Sequence, residues 1–163
     1  MYSIKLGYDK ALERINSLID NGHHSESLVT SVFTVEKTIR RTFKQLIVTQ
    51  GFKRTMADKI VKQSNGLNKL IDNWEIYAPK NRKFSDLIEN DDIKIIKEAA
   101  TMRNKLIHGE KVFSLEICKQ ETEKVLKSLE RIKNCFEKEY AYSGWEIIKE
   151  KKRRKNNNAS KVK

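Results

Sequence analysis

The residues with the clearest potential for chemistry lie in one short stretch, Arg103 to His108, which reads Arg-Asn-Lys-Leu-Ile-His. In a helix, Asn104 and His108 share a face because they are four positions apart, and Arg103 lies about 100° around the axis. Arginine offers a fork for phosphate oxygens, and histidine exchanges a proton near neutral pH. RNA carries its own nucleophile, the 2′-hydroxyl, so this group favours assisted cleavage of an RNA strand.

The same stretch resembles the R-x4-6-H motif of the HEPN (higher eukaryotes and prokaryotes nucleotide-binding) superfamily, in which a polar residue, here Asn104, often follows the arginine. The resemblance covers residues 5–142 at the level of helix order, and residue identity is confined to 103–108. It implies an all-α, HEPN-like bundle of four to five helices. It also implies a metal-independent endoribonuclease that leaves a 2′,3′-cyclic phosphate and a 5′-hydroxyl, working as a homodimer with two motifs facing one cleft.

The resemblance assigns a role to each candidate catalytic residue. Arg103 is expected to bind the scissile phosphate, His108 to act as general acid or base, and Asn104 to orient one of them. Some HEPN proteins place an acidic residue on the second helix, facing this pair, which makes Glu36 a secondary catalytic candidate. Small HEPN proteins often act as toxins or antiviral effectors, so by analogy an antitoxin or regulatory protein is a further expected partner.

Structural explanations of the same residues stay open. Glu36 and Arg40 are four apart and would form a surface ion pair worth under about 0.5 kcal/mol. A histidine in the last turn complements the helix dipole, and Gly109 is an ordinary helix stop. The corresponding alternatives are a non-catalytic HEPN-type module that binds RNA or a partner protein, and a structural bundle that pairs through its last helix.

Basic charge is concentrated at the C-terminus. The chain has 34 Lys and Arg against 22 Asp and Glu, a net charge of +12. Residues 149–163 hold eight basic residues and one glutamate, so this tail carries +7 and residues 1–148 carry the remaining +5. Because the tail has almost no apolar side chains, we expect a disordered cationic arm after a helical domain of residues 1–148.

Several residues are candidates for contacting RNA phosphates, with a merely solubilising tail as the alternative. They are Arg40, Lys105, Lys151, Lys152, Arg153, Arg154 and Lys155. Three aromatic residues precede the tail, namely Tyr140, Tyr142 and Trp145. We expect them to cap the core, and base stacking is the alternative.

Apolar spacing predicts helices nearly throughout. The expected helices cover residues 3–20, Ser25 or Ser27 to about Gly51, a short segment around Met56 and Ile60, residues 67–74, Asp91 to Gly109, and a long helix from about Ser114. Residues 79–90 are expected to form a loop. The last helix carries a narrow apolar seam from Cys118 to Phe136, which packs on another helix within the chain or across a dimer.

The rest of the composition argues against a membrane protein, a secreted protein and a metalloprotein. No stretch approaches the roughly 18 apolar residues of a membrane span, and the N-terminus lacks the apolar core of a signal peptide, which favours a cytoplasmic protein. Cys118 and Cys135 form no C-x-x-C pair, and no carboxylate or His/Cys cluster has ligand spacing, so we expect no metal and no cofactor. His23 and His24 are expected to be solvated loop residues.

Overall fold

The computed structural model describes residues 7–146, which form eight α-helices and one 3-10 turn, with no strand among them. The elements are α1 (Tyr8–Asp20), α2 (His24–Thr49), α3 (Arg54–Gln63), α4 (Leu67–Asp72), α5 (Trp74–Tyr77), the 3-10 turn (Pro79–Asn81), α6 (Phe84–Leu87), α7 (Asn90–Ile107) and α8 (Leu115–Tyr140). The predicted all-α class is confirmed. Four of the helices, α1, α2, α7 and α8, are long and make up the body of the molecule.

Helix α2 is the centre of the fold. It packs against α8, α1, α7 and α3, so most of its circumference is buried. Its apolar positions form the core, and two of its buried hydroxyls bond within the helix: Ser31 donates to the carbonyl of Leu28, and Thr38 donates to that of Thr34. A helix surrounded in this way buries polar positions that would face water on a surface helix.

The apolar seam of α8 packs on α2. Cys118, Val125, Leu129, Ile132 and Phe136 are all fully buried within the chain. The seam is therefore part of the intramolecular core and is not an open surface for a second copy. Of the two cysteines, Cys118 is buried and Cys135 is half-buried.

An aromatic cluster anchors the short helices between α3 and α7. Trp74 is fully buried and stacks on Phe136, with ring centroids 5.2 Å apart, while the ring of Phe84 meets it edge-on at 5.1 Å. The indole N–H of Trp74 donates to the hydroxyl of Tyr140 at 3.2 Å, which satisfies the one polar atom of the buried ring. The cluster attaches the connecting segment to the C-terminal half of α8.

The structure corrects two predicted boundaries. The expected loop at residues 79–90 contains the 3-10 turn and α6, and α7 already begins at Asn90. Helix α2 begins at His24 with His23 as its N-cap, and Ser27 instead donates its hydroxyl to the carbonyl of His24. Short elements with few apolar positions have too little periodicity to be recognised in sequence. Residues 3–6 of the predicted first helix lie outside the described residues.

The two adjacent histidines differ in environment. His23 is exposed, as expected, but the prediction is wrong for His24, which is half-buried. Its ring nitrogens lie 3.1 Å from the carbonyl oxygen of Leu115 and 3.2 Å from that of Ile19. His24 therefore links the end of α1 and the start of α8 to the start of α2.

After α8 the chain turns back onto α2. Ala141 adopts the left-handed conformation that ends the helix, and the indole N–H of Trp145 donates to the hydroxyl of Thr38 at 3.0 Å. Gly144 has a φ of +91°, and a Cβ there would lie 2.9 Å from the carbonyl oxygen of Thr38, so a side chain would not fit. The predicted basic arm, residues 149–163, lies outside the described residues.

Between residues 7 and 146, none of the helices combines the length and the apolar content that crossing a bilayer requires.

A buried carboxylate fixes the start of α7 against α8. Asp92 accepts hydrogen bonds from the hydroxyl of Ser128 at 2.7 Å and from Nε of Arg131 at 2.8 Å. Burial by itself would raise the pKa of Asp92, but these hydrogen bonds and the charge of Arg131 outweigh it and hold the pKa below its ordinary value of 3.8. The carboxylate is therefore ionised and paired at neutral pH.

We expect Asp92→Asn to lower the free energy of unfolding by about 2 kcal/mol at pH 7, because hydrogen bonds to a charged group are lost. A lowered folded-state pKa contributes stability above the unfolded pKa and loses it as the pH falls through the folded value. The difference between wild type and variant should therefore shrink below about pH 3.8. Urea denaturation followed by circular dichroism at several pH values measures this difference in the free energy of unfolding. The exposed neighbour Asp91→Asn is the control, and equal pH profiles for the two variants would contradict the assignment.

Candidate functional site

The C-terminal half of α7 carries an arginine that is buried against α2. The guanidinium of Arg103 donates from Nη2 to Oε1 of Glu36 at 2.8 Å and from Nη1 to Oε2 at 3.0 Å. Both side chains are about 10% exposed. This is the two-pronged arrangement in which a planar guanidinium matches a carboxylate, and it fixes the orientation of the arginine.

Two further contacts complete the surroundings of Arg103. Its Nε donates to Oδ1 of Asn104 at 2.9 Å, and its guanidinium carbon lies 4.9 Å from the centre of the Phe33 ring. Three of the five N–H groups of the guanidinium are thereby used, which leaves two without a hydrogen-bond partner among the described residues. The cluster holds the arginine rigidly and keeps part of its donor capacity.

His108 lies at the end of α7 in a different environment. It is the C-cap residue, its backbone N–H donates to the carbonyl of Asn104 at 3.0 Å, and its side chain is exposed. Gly109 follows with a φ of +65°, and the N–H of Glu110 donates back to the carbonyl of Lys105 at 2.9 Å. The chain thus leaves the helix just after the histidine.

Within residues 7–146, no hydrogen bond joins the ring of His108 to Arg103, Asn104 or Glu36. One copy of the chain brings Arg103, Asn104 and Glu36 together and leaves the imidazole in solvent about one turn further along α7.

The structure corrects the simple interpretation of Glu36. It is not a surface residue paired with Arg40, because Arg40 is exposed and the carboxylate of Glu36 is buried against Arg103. The sequence placed Glu36 at the border of the apolar stripe that contains Val32 and Val35. That border position is buried because α7 covers it, which the spacing along α2 alone does not show.

Lys105 lies two positions after Arg103 on α7 and is half-buried. The basic run Lys151 to Lys155 lies outside the described residues.

Two residues near the cluster, Phe33 and Lys37, were not predicted as site residues, and Trp145 was expected to cap the core, with base stacking as the alternative. Phe33 is 50% exposed although it contacts the buried Arg103. Lys37, one turn further along α2, lies 5.1 Å from the centre of the Trp145 ring. Burial, followed by the charge of Arg41, lowers the pKa of Lys37. The sequence feature that could have identified these residues is Phe33, which lies outside the apolar stripe of α2 and four positions before Lys37.

No metal centre is evident in the described part of the chain, where no group of three or more His, Cys, Asp or Glu side chains has suitable geometry. Comparison of the chain with known proteins finds no matching family model, no matching curated protein and no matching solved structure. The candidate site is therefore interpreted from its own geometry and from the motif at residues 103–108.

Arg103→Ala should lower the free energy of unfolding by about 3–5 kcal/mol, because it leaves the buried carboxylate of Glu36 without its counter-charge. The double variant Arg103→Met with Glu36→Met should be much closer to wild type, since no charge is then left unpaired. Urea denaturation of the single and double variants gives the coupling energy.

Arg40→Ala is the matched control, because it removes the exposed arginine four positions after Glu36 and should change stability by less than about 0.5 kcal/mol. A larger effect at Arg40 than at Arg103 would show that Glu36 pairs with Arg40 and not with Arg103.

Proposed function

We propose that the chain is a metal-independent endoribonuclease of the HEPN type. The observation that supports this most directly is a rigidly held guanidinium, Arg103, followed about one turn later by an exposed imidazole, His108, at the end of α7 in a basic chain. A fixed cation suits the charge that builds up on a phosphate during cleavage, and an imidazole suits proton transfer at neutral pH.

In the proposed reaction the two remaining N–H groups of Arg103 bind oxygens of the scissile phosphate. The RNA 2′-oxygen forms a bond to phosphorus as its proton is removed, and the bond to the 5′-oxygen breaks as that oxygen receives a proton. Glu36 and Asn104 act as positioning residues, since they hold the plane of the guanidinium. A fixed orientation lowers the cost of reaching the transition state.

The two proton transfers favour a homodimer. One group must remove the proton of the 2′-hydroxyl and another must protonate the 5′-oxygen, whereas each copy offers one His108. The α7–α8 connection beside His108 exposes Ile107 at 52%, Val112 at 88% and Leu115 at 55%. Clustered exposed apolar side chains mark interaction surfaces, and a second copy seated here would add a second His108 to the site.

A second candidate function is supported by the burial of Arg103. Its charge is neutralised by Glu36 and its side chain is about 10% exposed, an environment that also suits a purely structural ion pair. In that case the chain is a non-catalytic module that binds RNA or a partner protein.

His108→Ala should reduce the rate of RNA cleavage at least about 100-fold, because the group that transfers protons is lost. The assay uses single-stranded RNA with EDTA present, and the products should carry a 2′,3′-cyclic phosphate and a 5′-hydroxyl. Arg103→Lys should also lower the rate, since an ammonium cannot reproduce the fork of the guanidinium.

His23→Ala is the matched control for this assay, because His23 is an exposed histidine at the start of α2. It should cleave RNA at the wild-type rate. Cleavage that survives in a folded His108→Ala protein, or an absence of cleavage in the wild type, would reject the catalytic proposal and favour the binding module.

Leu115→Asp should convert the dimer to a monomer, because it introduces a charge into the apolar contact next to His108. The molar mass measured by light scattering after size-exclusion chromatography tests this, and cleavage should fall together with the dimer fraction. Ile76→Asp is the matched control, as Ile76 is an isoleucine of similar exposure, 58%, on α5. A wild-type protein that is monomeric at assay concentrations would exclude the composite site.

A further inference from the structure

A groove runs beside the Arg103 cluster on the open side of α2. Its cavity has a volume of about 170 Å³ and lies between α1, α2 and the C-terminal segment. Two aromatic residues, Phe33 and Trp145, line it together with Arg14, Lys37 and small side chains such as Ala11. The cavity is thus directly continuous with the residue that packs on Arg103.

The lining is cationic. Arg14 and Lys37 are its charged residues, and no carboxylate belongs to it. Lys37 contacts the face of Trp145, but among residues 7–146 no Asp or Glu oxygen lies within 4 Å of its ammonium group. The nearby carboxylate of Glu146 accepts hydrogen bonds from the backbone N–H groups of Ser143 and Trp145. A half-buried lysine in this position is stabilised by an incoming anion, which also reverses the lowering of its pKa.

The two aromatic rings of the groove differ in how tightly the surrounding residues hold them. Trp145 is fixed, since its N–H bonds to Thr38, the edge of Tyr8 meets it at 5.5 Å, and Lys37 and Arg41 lie over it. Phe33 contacts Arg103 but remains 50% exposed. A planar group can therefore stack on the open part of the Phe33 ring in a cavity that the fixed indole also lines. An aromatic ring beside unpaired cations is the arrangement that binds single-stranded nucleic acid.

We propose that this groove is a nucleotide subsite for single-stranded RNA, in which a base stacks on Phe33 and the flanking phosphates contact Lys37 and Arg14. The choice of RNA as ligand rests on the proposed function, but the subsite requires binding only and not cleavage. The exposed Arg40 lies about one turn beyond Lys37 on α2, and the basic sequence 149–163 follows shortly after Trp145 in the chain. Arg40 extends the positive charge of the groove along α2.

The binding experiment uses the full chain with His108→Ala, so that RNA is not consumed, and a short fluorescein-labelled oligouridylate followed by fluorescence anisotropy. Phe33→Ala should weaken binding roughly 10-fold, because stacking on one base is lost, and Phe33→Tyr should restore it. Lys37→Gln should weaken binding and reduce the slope of log affinity against log salt by about 0.7, the value for one phosphate contact on a single strand.

Matched controls come from the other end of α2. Phe52→Ala removes a phenylalanine that is 42% exposed just after α2, and Lys62→Gln removes an exposed lysine on α3. Neither substitution should change the affinity for the oligonucleotide or the slope of log affinity against log salt. Thermal unfolding of each variant confirms that the protein is folded, and Phe33 is exposed enough for its truncation to be tolerated.

An independent readout is the ammonium resonance of Lys37, whose pKa should rise when the oligonucleotide binds. Wild-type affinity in both Phe33→Ala and Lys37→Gln would overturn the subsite. A change in molar mass of Phe33→Ala with unchanged affinity would also overturn it, because the groove would then be a contact between copies. Groove-dependent binding by a protein that never cleaves RNA would retain the subsite and reject the proposed enzyme.

Discussion

The ion pair between Arg103 and Glu36 is the interaction on which the site depends. It joins α7 to α2 through two hydrogen bonds in a place that is almost closed to water. Charges in such a place are tolerated only as a pair, since either one alone carries a large desolvation cost. The pair therefore determines how the last turns of α7 lie on α2. Through them it determines where His108 enters solvent and which part of the Phe33 ring stays open.

Helix α2 serves both the core and the candidate site. The same helix packs on α8, α1 and α7 and supplies Glu36, Phe33 and Lys37 to the surface around Arg103. A functional group on a helix that is held on several sides has little freedom to move, which is the condition for precise positioning. The cost is that changes at Glu36 affect folding as well as chemistry, so stability and activity have to be measured side by side in every variant.

The electrostatics of the cluster explain why neighbouring cations matter to the proposal. Because Glu36 neutralises Arg103, the cluster provides little long-range attraction for a phosphate, even if the guanidinium orients one as proposed. Attraction of a polyanion has to come from side chains that lack an acidic partner, and within residues 7–146 Lys37 and Arg14 in the adjacent groove form no ion pair. The proposed function thus assigns strand binding and strand cleavage to adjacent but different groups, one on the open side of α2 and the other at the end of α7.

The sequence by itself determined the helical class, the seam of α8 and the stretch 103–108, because all three depend on spacing along one helix. It also singled out Glu36, although its simplest explanation there, a surface pair with Arg40, was wrong. The resemblance suggested an acidic residue facing the pair, but only the tertiary structure decided that Glu36 bonds both terminal nitrogens of Arg103, that His24 is half-buried and that Trp145 returns to α2 beside Phe33. These facts depend on which helices pack together and at what rotation. Contacts between residues 67 or 107 positions apart leave no periodic signal in either segment, so no local pattern could reveal them.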